Sequence, residues 1–236
     1  MQDLVRYQHH DGIAALTMDD GKANVMSVAM LQALNAAFDR AQADQAVVVL
    51  AGRERVFSGG FDLAVFSRGA DELVAMLEAG ARLTERLLSF PRPIVTACTG
   101  HAIAMGAFLL LSTDMRIGVD HGARFQLNEV QVGLTMPRFA IEVCRQRLSP
   151  VCLSQAVATA VTYSPQQAVA AGFLDEVVPV EALTDAVRAR AEGLAKLHTA
   201  AFAATKLRLR RQALAALRAA IDEDVAEWAA LGRGRA

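Results

Sequence analysis

The sequence predicts an α/β fold for the first two-thirds of the chain and an all-α C-terminal part. Strand-like and helix-like segments alternate up to about residue 180, which is typical of α/β proteins. Residues 46–52 and 93–98 are continuous apolar, β-branched runs, as expected of strands covered on both faces. Residues 181–231 have helical spacing, with a predicted break near 198–204.

The first elements carry clear boundary signals. Residues 4–7 and 13–18 flank the turn Asp11-Gly12, which predicts a β-hairpin. Ser27 is a favourable N-cap for a helix that begins at residue 28 or 29. Further along the chain we predict a helix over 70–89, a helix over 105–111, strands at 115–119 and 123–127, helices from Pro137, over 150–160 and over 165–171, and a strand at 174–179.

Length and composition favour a single large core with an appendage. The 236 residues are 53% hydrophobic, which is enough to bury a substantial core. We find no linker or repeat, which favours one core over two independent domains. Within the chain we distinguish a core of residues 1–195 and a C-terminal helical region of residues 196–236.

Charge and cysteine content exclude several classes of protein. The net charge of −1 gives no basic excess for nucleic acid. The longest apolar run, residues 103–111, is much shorter than the roughly 18 residues of a membrane span. The N-terminus has no signal-peptide pattern, and the three cysteines have no metal-ligand spacing. We therefore expect a cytoplasmic protein without a metal site.

Two glycine-containing segments are the first chemical candidates. Residues 57–63, FSGGFDL, follow a predicted strand, and Asp62 is placed to cap the next helix. Residues 100–114, GHAIAMGAFLLLSTD, follow the second buried strand. The first segment is also explained as a simple strand-to-helix turn, and the second as a buried core helix in which glycine allows tight packing. If their free N–H groups converged on one oxygen they would form an oxyanion hole, in which each donor contributes roughly 3 kcal/mol to the transition state.

Five segments in order resemble the crotonase, or enoyl-CoA hydratase/isomerase, superfamily. They are GKANVMS at 21–27, FSGGFDL at 57–63, PRPIVTACTGHAIAMGAFLLLSTDMRIG at 91–118, ARFQLNEVQVGL at 123–134 and YSPQQAVAAGFLDEVVP at 163–179. The resemblance covers nearly the whole chain. It implies a spiral core of ββα units with a C-terminal helical trimerisation region.

The resemblance also implies roles for individual residues. The N–H groups of Phe61 and Met105 correspond to the two oxyanion donors, although methionine replaces the usual glycine at 105. Of the two acidic positions of the hydratases, one is Phe108 here and the other is Glu129. The segment LNEVQVG with a single carboxylate is most similar to Δ3,Δ2-enoyl-CoA isomerases.

Glu129 is the predicted base. A glutamate is usually a solvated surface charge, but Glu129 lies among apolar residues, and burial would raise its pKa toward neutrality. Isomerisation of a 3-enoyl-CoA to a 2-enoyl-CoA needs one such base. Two alternatives remain: an enoyl-CoA hydratase with one catalytic glutamate, and an acyl-CoA-binding relative without activity.

The remaining implied contacts concern the acyl-CoA substrate. In the family the loop at Lys22, Ala23 and Asn24 lies along CoA, although Asn24 is equally well explained as a turn residue. A basic residue near Lys206 contacts CoA phosphates in the family, and a solvated helix face is the other interpretation. We also assign Gly60, Asp62 and Phe108 to the substrate pocket. The resemblance implies no cofactor beyond the CoA of the substrate, and a homotrimer or hexamer.

Overall fold

The computed structural model describes residues 3–233 and contains two sheets. The strands are β1 (Val5–His10), β2 (Ile13–Met18), β3 (Val47–Ala51), β4 (Arg55–Ser58), β5 (Ile94–Cys98), β6 (Gly100–Ile103), β7 (Met115–Val119), β8 (Phe125–Gln126) and β9 (Glu176–Val178). The larger sheet has the order β1-β2-β3-β5-β7-β9. Only its β1–β2 pair is antiparallel, which confirms the predicted hairpin.

Helices cover the sheets and form the C-terminal part. They are α1 (Val28–Ala43), α2 (Ala70–Ser89), α3 (Met105–Leu111), α4 (Arg138–Arg147), α5 (Pro150–Thr159), α6 (Pro165–Ala171), α7 (Leu183–Ala195), α8 (Thr199–Leu209) and α9 (Arg211–Arg233), with 3-10 turns at Leu63–Ser67, Val130–Val132 and Val180–Ala182. Within the described residues, no helix is both long enough and apolar enough to cross a bilayer.

Local sequence signals account for most helix and strand boundaries. All five residues of β5 are buried, as predicted for a strand covered on both faces. The Ser27 side chain accepts a hydrogen bond from Met30 N and begins α1, which confirms the predicted N-cap. Pro137 is the N-cap residue of α4, one position before its first helical residue.

The smaller sheet, β4-β6-β8, was not predicted from the sequence. No strand is predicted from the sequence over residues 53–63, but the structure places β4 there, paired in parallel with β6. Strands β4 and β6 have only four residues each, which is too short for a periodic pattern to be recognised, whereas β8 lies within the strand predicted at 123–127. The smaller sheet matters because all three of its strands lead into the candidate site.

The C-terminal helices pack on the core and are tied to it by buried charges. The break predicted near 198–204 occurs at residues 196–198, between α7 and α8, and Arg210 separates α8 from α9. The buried Asp224 of α9 accepts hydrogen bonds from the N–H groups of Arg138 and Phe139, at 3.1 and 2.9 Å, and so caps α4. Residues 234–236 of the predicted helical region lie outside the described residues.

Candidate active site

The glycine turn after β4 presents the first predicted donor. Gly60 has a φ of 98°, a left-handed conformation that favours glycine. Its carbonyl accepts from Met26 N at 2.8 Å, and its N–H donates to the Ser58 hydroxyl at 3.2 Å. In the described part of the chain, the next N–H, that of Phe61, donates to no protein acceptor.

The turn between β6 and α3 presents the second predicted donor. Ala104 has φ 49° and ψ −122°, a costly backbone conformation for a residue with a Cβ. Its N–H donates to Gln126 O at 2.9 Å, and its carbonyl accepts from Ala107 N and Phe108 N. The N–H of Met105, at the first position of α3, has no protein acceptor among residues 3–233. Both predicted donors therefore directly follow a residue with positive φ.

The two turns lie against each other. A Cβ placed on Gly60 would lie 3.6 Å from Met105 N and 3.0 Å from the Ala104 Cβ. The structure thus brings together the two segments that the sequence could only suggest as partners. It also explains the glycine at position 60, because a side chain there would be crowded as well as strained.

The side chains of both donor residues meet at α2. A Cβ placed on Gly80, a buried helical residue, would lie 2.6 Å from two carbons of the Phe61 ring. It would lie 3.3 Å from the Met105 terminal methyl, and Met105 itself is 0% exposed. Gly80 was not predicted from the sequence as part of the site. The available signal was a glycine in a helix interior, where alanine is more favourable by about 1 kcal/mol.

Glu129 lies just after β8, at the start of a 3-10 turn, and its carboxylate is buried. The residue is 8% exposed, and Oε2 has no hydrogen-bond partner among the described groups. Burial raises the pKa of Glu129 to about 7, and a hydrogen bond from its own backbone N–H opposes the rise. This upward shift of the Glu129 pKa agrees with the prediction from its apolar sequence neighbours. A carboxylate with this pKa is half ionised near neutrality and suits proton transfer.

The Glu129 side chain lies near Cys144 of α4, and Phe108 of α3 packs against the same helix. Burial raises the pKa of the Cys144 thiol on α4, and the nearby Glu129 charge adds to the rise. Phe108 is buried and makes an edge-to-face contact with Phe139, with ring centroids 5.8 Å apart. Phe139 also contacts the Trp228 ring of α9, at 6.3 Å. Position 108 is therefore filled by packed aromatic carbon, where the resemblance implies a carboxylate in hydratases.

The loop at residues 22–24 lies beside the glycine turn, but Asn24 has a structural role. Its amide is 0% exposed and donates to Met18 O and Phe57 O, at 3.0 and 3.2 Å. This burial argues against the predicted CoA contact through its side chain and favours the turn interpretation, which its φ of 49° supports. Lys22 is exposed, and Ala23 O accepts from Gly59 N at 2.8 Å, so the loop adjoins the candidate site.

Asp62 and Lys206 are each engaged within the chain. The Asp62 carboxylate accepts from Ala64 N at 3.0 Å and caps a 3-10 turn instead of the predicted α-helix. Lys206 is 5% exposed, and its ammonium group lies 2.8 Å from the Asp114 carboxylate, which also pairs with Arg210 at 2.9 Å. Burial lowers the pKa of Lys206 to about 8. Because Asp114 lies beyond the opposite end of α3 from Met105, this position does not support the predicted CoA contact within one chain.

Comparison with known proteins identifies the family. The sequence profile of the enoyl-CoA hydratase/isomerase family matches residues 8–231. A putative enoyl-CoA hydratase from Thermus thermophilus is 32% identical over 90% of this chain and 84% of its own. The apo structure of an enoyl-CoA isomerase from Mycobacterium tuberculosis superposes with a TM-score of 0.92 at 46% identity, covering 96% of this chain and all of that one. An enoyl-CoA hydratase from Mycobacterium marinum gives 0.92 at 47%, covering 95% and 99%.

The chain belongs to the enoyl-CoA hydratase/isomerase family and has the crotonase fold. It is an enzyme of this family, in which the substrates are acyl-CoA thioesters. The predicted site residues are two N–H groups without protein acceptors on adjacent turns, and a buried carboxylate in the loop after β8, in the described part of the chain.

Proposed function

We propose that this chain is an enoyl-CoA isomerase that converts a 3-enoyl-CoA into a 2-enoyl-CoA with Glu129 as its single base. The observation that carries the proposal is the buried Oε2 of Glu129, which has no partner in the described chain. Phe108 supports it, because an apolar ring fills the position of a second acid. Relatives of nearly equal identity are described as isomerase and as hydratase, so similarity alone does not decide between them.

The proposed reaction is a proton shuttle along one face of the substrate. The thioester oxygen accepts hydrogen bonds from the N–H groups of Phe61 and Met105. Glu129 removes a proton from C2, and the electron pair of that C–H bond delocalises onto the thioester oxygen as a dienolate. The electrons then return from the thioester oxygen through the conjugated carbons of the acyl group. C4 takes the proton back from Glu129, and the double bond moves from C3–C4 to C2–C3. No atom or electron is gained overall, so the proposal includes no cofactor and no metal.

The apolar surroundings of Glu129 serve this shuttle. The carboxyl group must release the same proton that it accepts, and a pKa near 7 lets it do both at similar cost. Hydration additionally needs a water held and activated near C3. The edge-to-face pair of Phe108 and Phe139 offers no hydrogen bond for that water.

An assay with two substrates tests the proposal. Incubation with a 3-enoyl-CoA is expected to raise the absorbance of the conjugated thioester, and incubation with a 2-enoyl-CoA is expected to leave it unchanged. Glu129→Gln keeps the shape of the side chain and removes the base, so turnover should stop while acyl-CoA binding persists. The exposed Glu181→Gln is the matched control and should keep full activity. Hydration of the 2-enoyl-CoA would support the hydratase alternative, and binding without turnover would support the inactive relative.

We also propose that CoA lies along Lys22 and Ala23 and that the chain assembles as a homotrimer or hexamer through its C-terminal helices. The exposed Lys22 beside the glycine turn supports the first part. Two exposed leucines on α8, Leu207 and Leu209, support the second. Light scattering on the purified protein measures the assembly, and a monomer at micromolar concentration would contradict it.

A further inference from the structure

We infer that Gly80 of α2 is a positioning residue for both predicted oxyanion donors. The donors belong to different turns, but their side chains meet over this one glycine. The inference rests on the proposed function in one respect, because it assumes that the N–H groups of Phe61 and Met105 polarise a thioester.

The contact at Gly80 is too close for any side chain. A Cβ would stand 2.6 Å from Cε1 and Cζ of Phe61, well inside the distance at which carbon atoms touch. The Met105 terminal methyl would be 3.3 Å away on the same side. The Phe61 ring and the Met105 side chain therefore both pack against the helix backbone at Gly80, and a side chain at this position would have to displace the ring.

The backbone that precedes the second donor is strained and needs such support. Phe61 follows Gly60, and Met105 follows Ala104, whose φ of 49° is unfavourable for a residue with a Cβ. A strained conformation such as that of Ala104 persists only while its surroundings hold it. The side chains of the two donor residues provide such a hold, because each is pinned against α2 at the same point. The absence of a side chain at Gly80 also leaves room for methionine at position 105.

Helix propensity does not favour a glycine at position 80. Glycine in a helix interior is less favourable than alanine, so a packing requirement is the physical explanation for its presence in the 20-residue α2. Gly193 in α7 provides the contrast, because nothing lies within 4 Å of a Cβ placed there. The same substitution at the two sites therefore favours the helix in both cases but changes the candidate site only at Gly80.

Gly80→Ala is the decisive variant, and Gly193→Ala is its matched control. In Gly80→Ala the new methyl group displaces the Phe61 ring and with it the donor turn. We expect kcat for the 3-enoyl-CoA to fall about 100-fold, the typical cost of misplacing a reacting group by about 1 Å, with little change in KM. Gly193→Ala should keep the kcat of the wild type. Thermal unfolding of both variants verifies that each is folded.

A double-variant cycle separates positioning from general damage to the fold. Phe61→Ala keeps the backbone N–H and removes the ring that meets the new methyl group. In the Phe61→Ala background, Gly80→Ala should therefore have little further effect on kcat. An equally large loss in both backgrounds would overturn the inference. If the single Gly80→Ala variant does not fold, the double variant is compared with Phe61→Ala alone, and a large further loss of kcat there would also overturn the inference.

The carbonyl stretch of a bound saturated acyl-CoA gives a readout that does not depend on the reaction. Hydrogen bonds from the two donors lower this infrared frequency in the wild type, and Gly80→Ala should return it toward the free value. An unchanged frequency in Gly80→Ala would overturn the inference. If the wild type lacks isomerase activity but shows a lowered frequency that Gly80→Ala removes, the proposed function fails and the role of Gly80 stands. If the wild type isomerises without lowering the frequency, the role of Gly80 fails alone.

Discussion

Replacing Glu129 by glutamine is expected to abolish activity and, at alkaline pH, to raise the free energy of unfolding relative to the wild type. The folded protein holds this carboxyl at a pKa of about 7, against an ordinary value of 4.5. Between these two values the folded state binds more protons than the unfolded state, so the contribution to stability falls as the pH rises. It is fully present below pH 4.5 and is lost by about pH 7.

The magnitude follows from the pKa difference. A difference of about 2.5, at about 1.4 kcal/mol for each pKa unit, corresponds to about 3 kcal/mol. Glutamine has no charge to bury. The difference in unfolding free energy between Glu129→Gln and the wild type should therefore shift by about 3 kcal/mol in favour of the variant between pH 4.5 and pH 8.

Urea unfolding of both proteins at several pH values measures this shift. Taking the difference between variant and wild type cancels the titration of other groups, and Glu181→Gln at an exposed position controls for the chemical change itself. A difference that is independent of pH would refute the reasoning, since it would mean that the carboxyl titrates alike in the folded and unfolded states. Loss of activity without the pH-dependent gain would leave Glu129 as a base but remove the burial argument for its pKa.

Three further expectations follow from the same structure. The kcat/KM of the wild type should rise about tenfold per pH unit below pH 7 and level off above it, because the base must be ionised in the free enzyme. Initial rates measured at a series of pH values test this. Asp114→Ala leaves Lys206 buried without its carboxylate and should cost about 3 kcal/mol in urea unfolding. Asp224→Ala removes the cap of α4 and should cost about 1 kcal/mol or more. The exposed Asp222→Ala on the same helix is its control, and an equal loss there would contradict the capping role.

Elements with strong local signals could be predicted from the sequence. The residues of α1 and α2 have helical spacing and a recognisable start or stop, such as Ser27 and the prolines after Ser89. The buried strand β5 is a continuous apolar run. In each case the information lies within about 20 neighbouring residues, so a single sequence is sufficient.

Features that depend on distant contacts could not be predicted in the same way. The strands of the smaller sheet are stabilised by one another and not by their own periodicity, so β4 was not predicted. The ammonium group of Lys206 was expected on a solvated face or near CoA, but it pairs with Asp114, 92 positions away in the chain. The contact of Gly80 with both donor residues joins three separate elements, and its only local signal is a helix glycine.

The aromatic contacts around α4 have a practical consequence for experiments. Trp228 is the only tryptophan of the chain, and it touches Phe139, which in turn touches Phe108 beside the candidate site. Indole emission depends on the packing and polarity around the ring. The protein therefore carries its own fluorescent reporter, which is separated from Phe108 by the single side chain of Phe139. Binding of an acyl chain against Phe108 is expected to change its emission, so ligands can be titrated without a label.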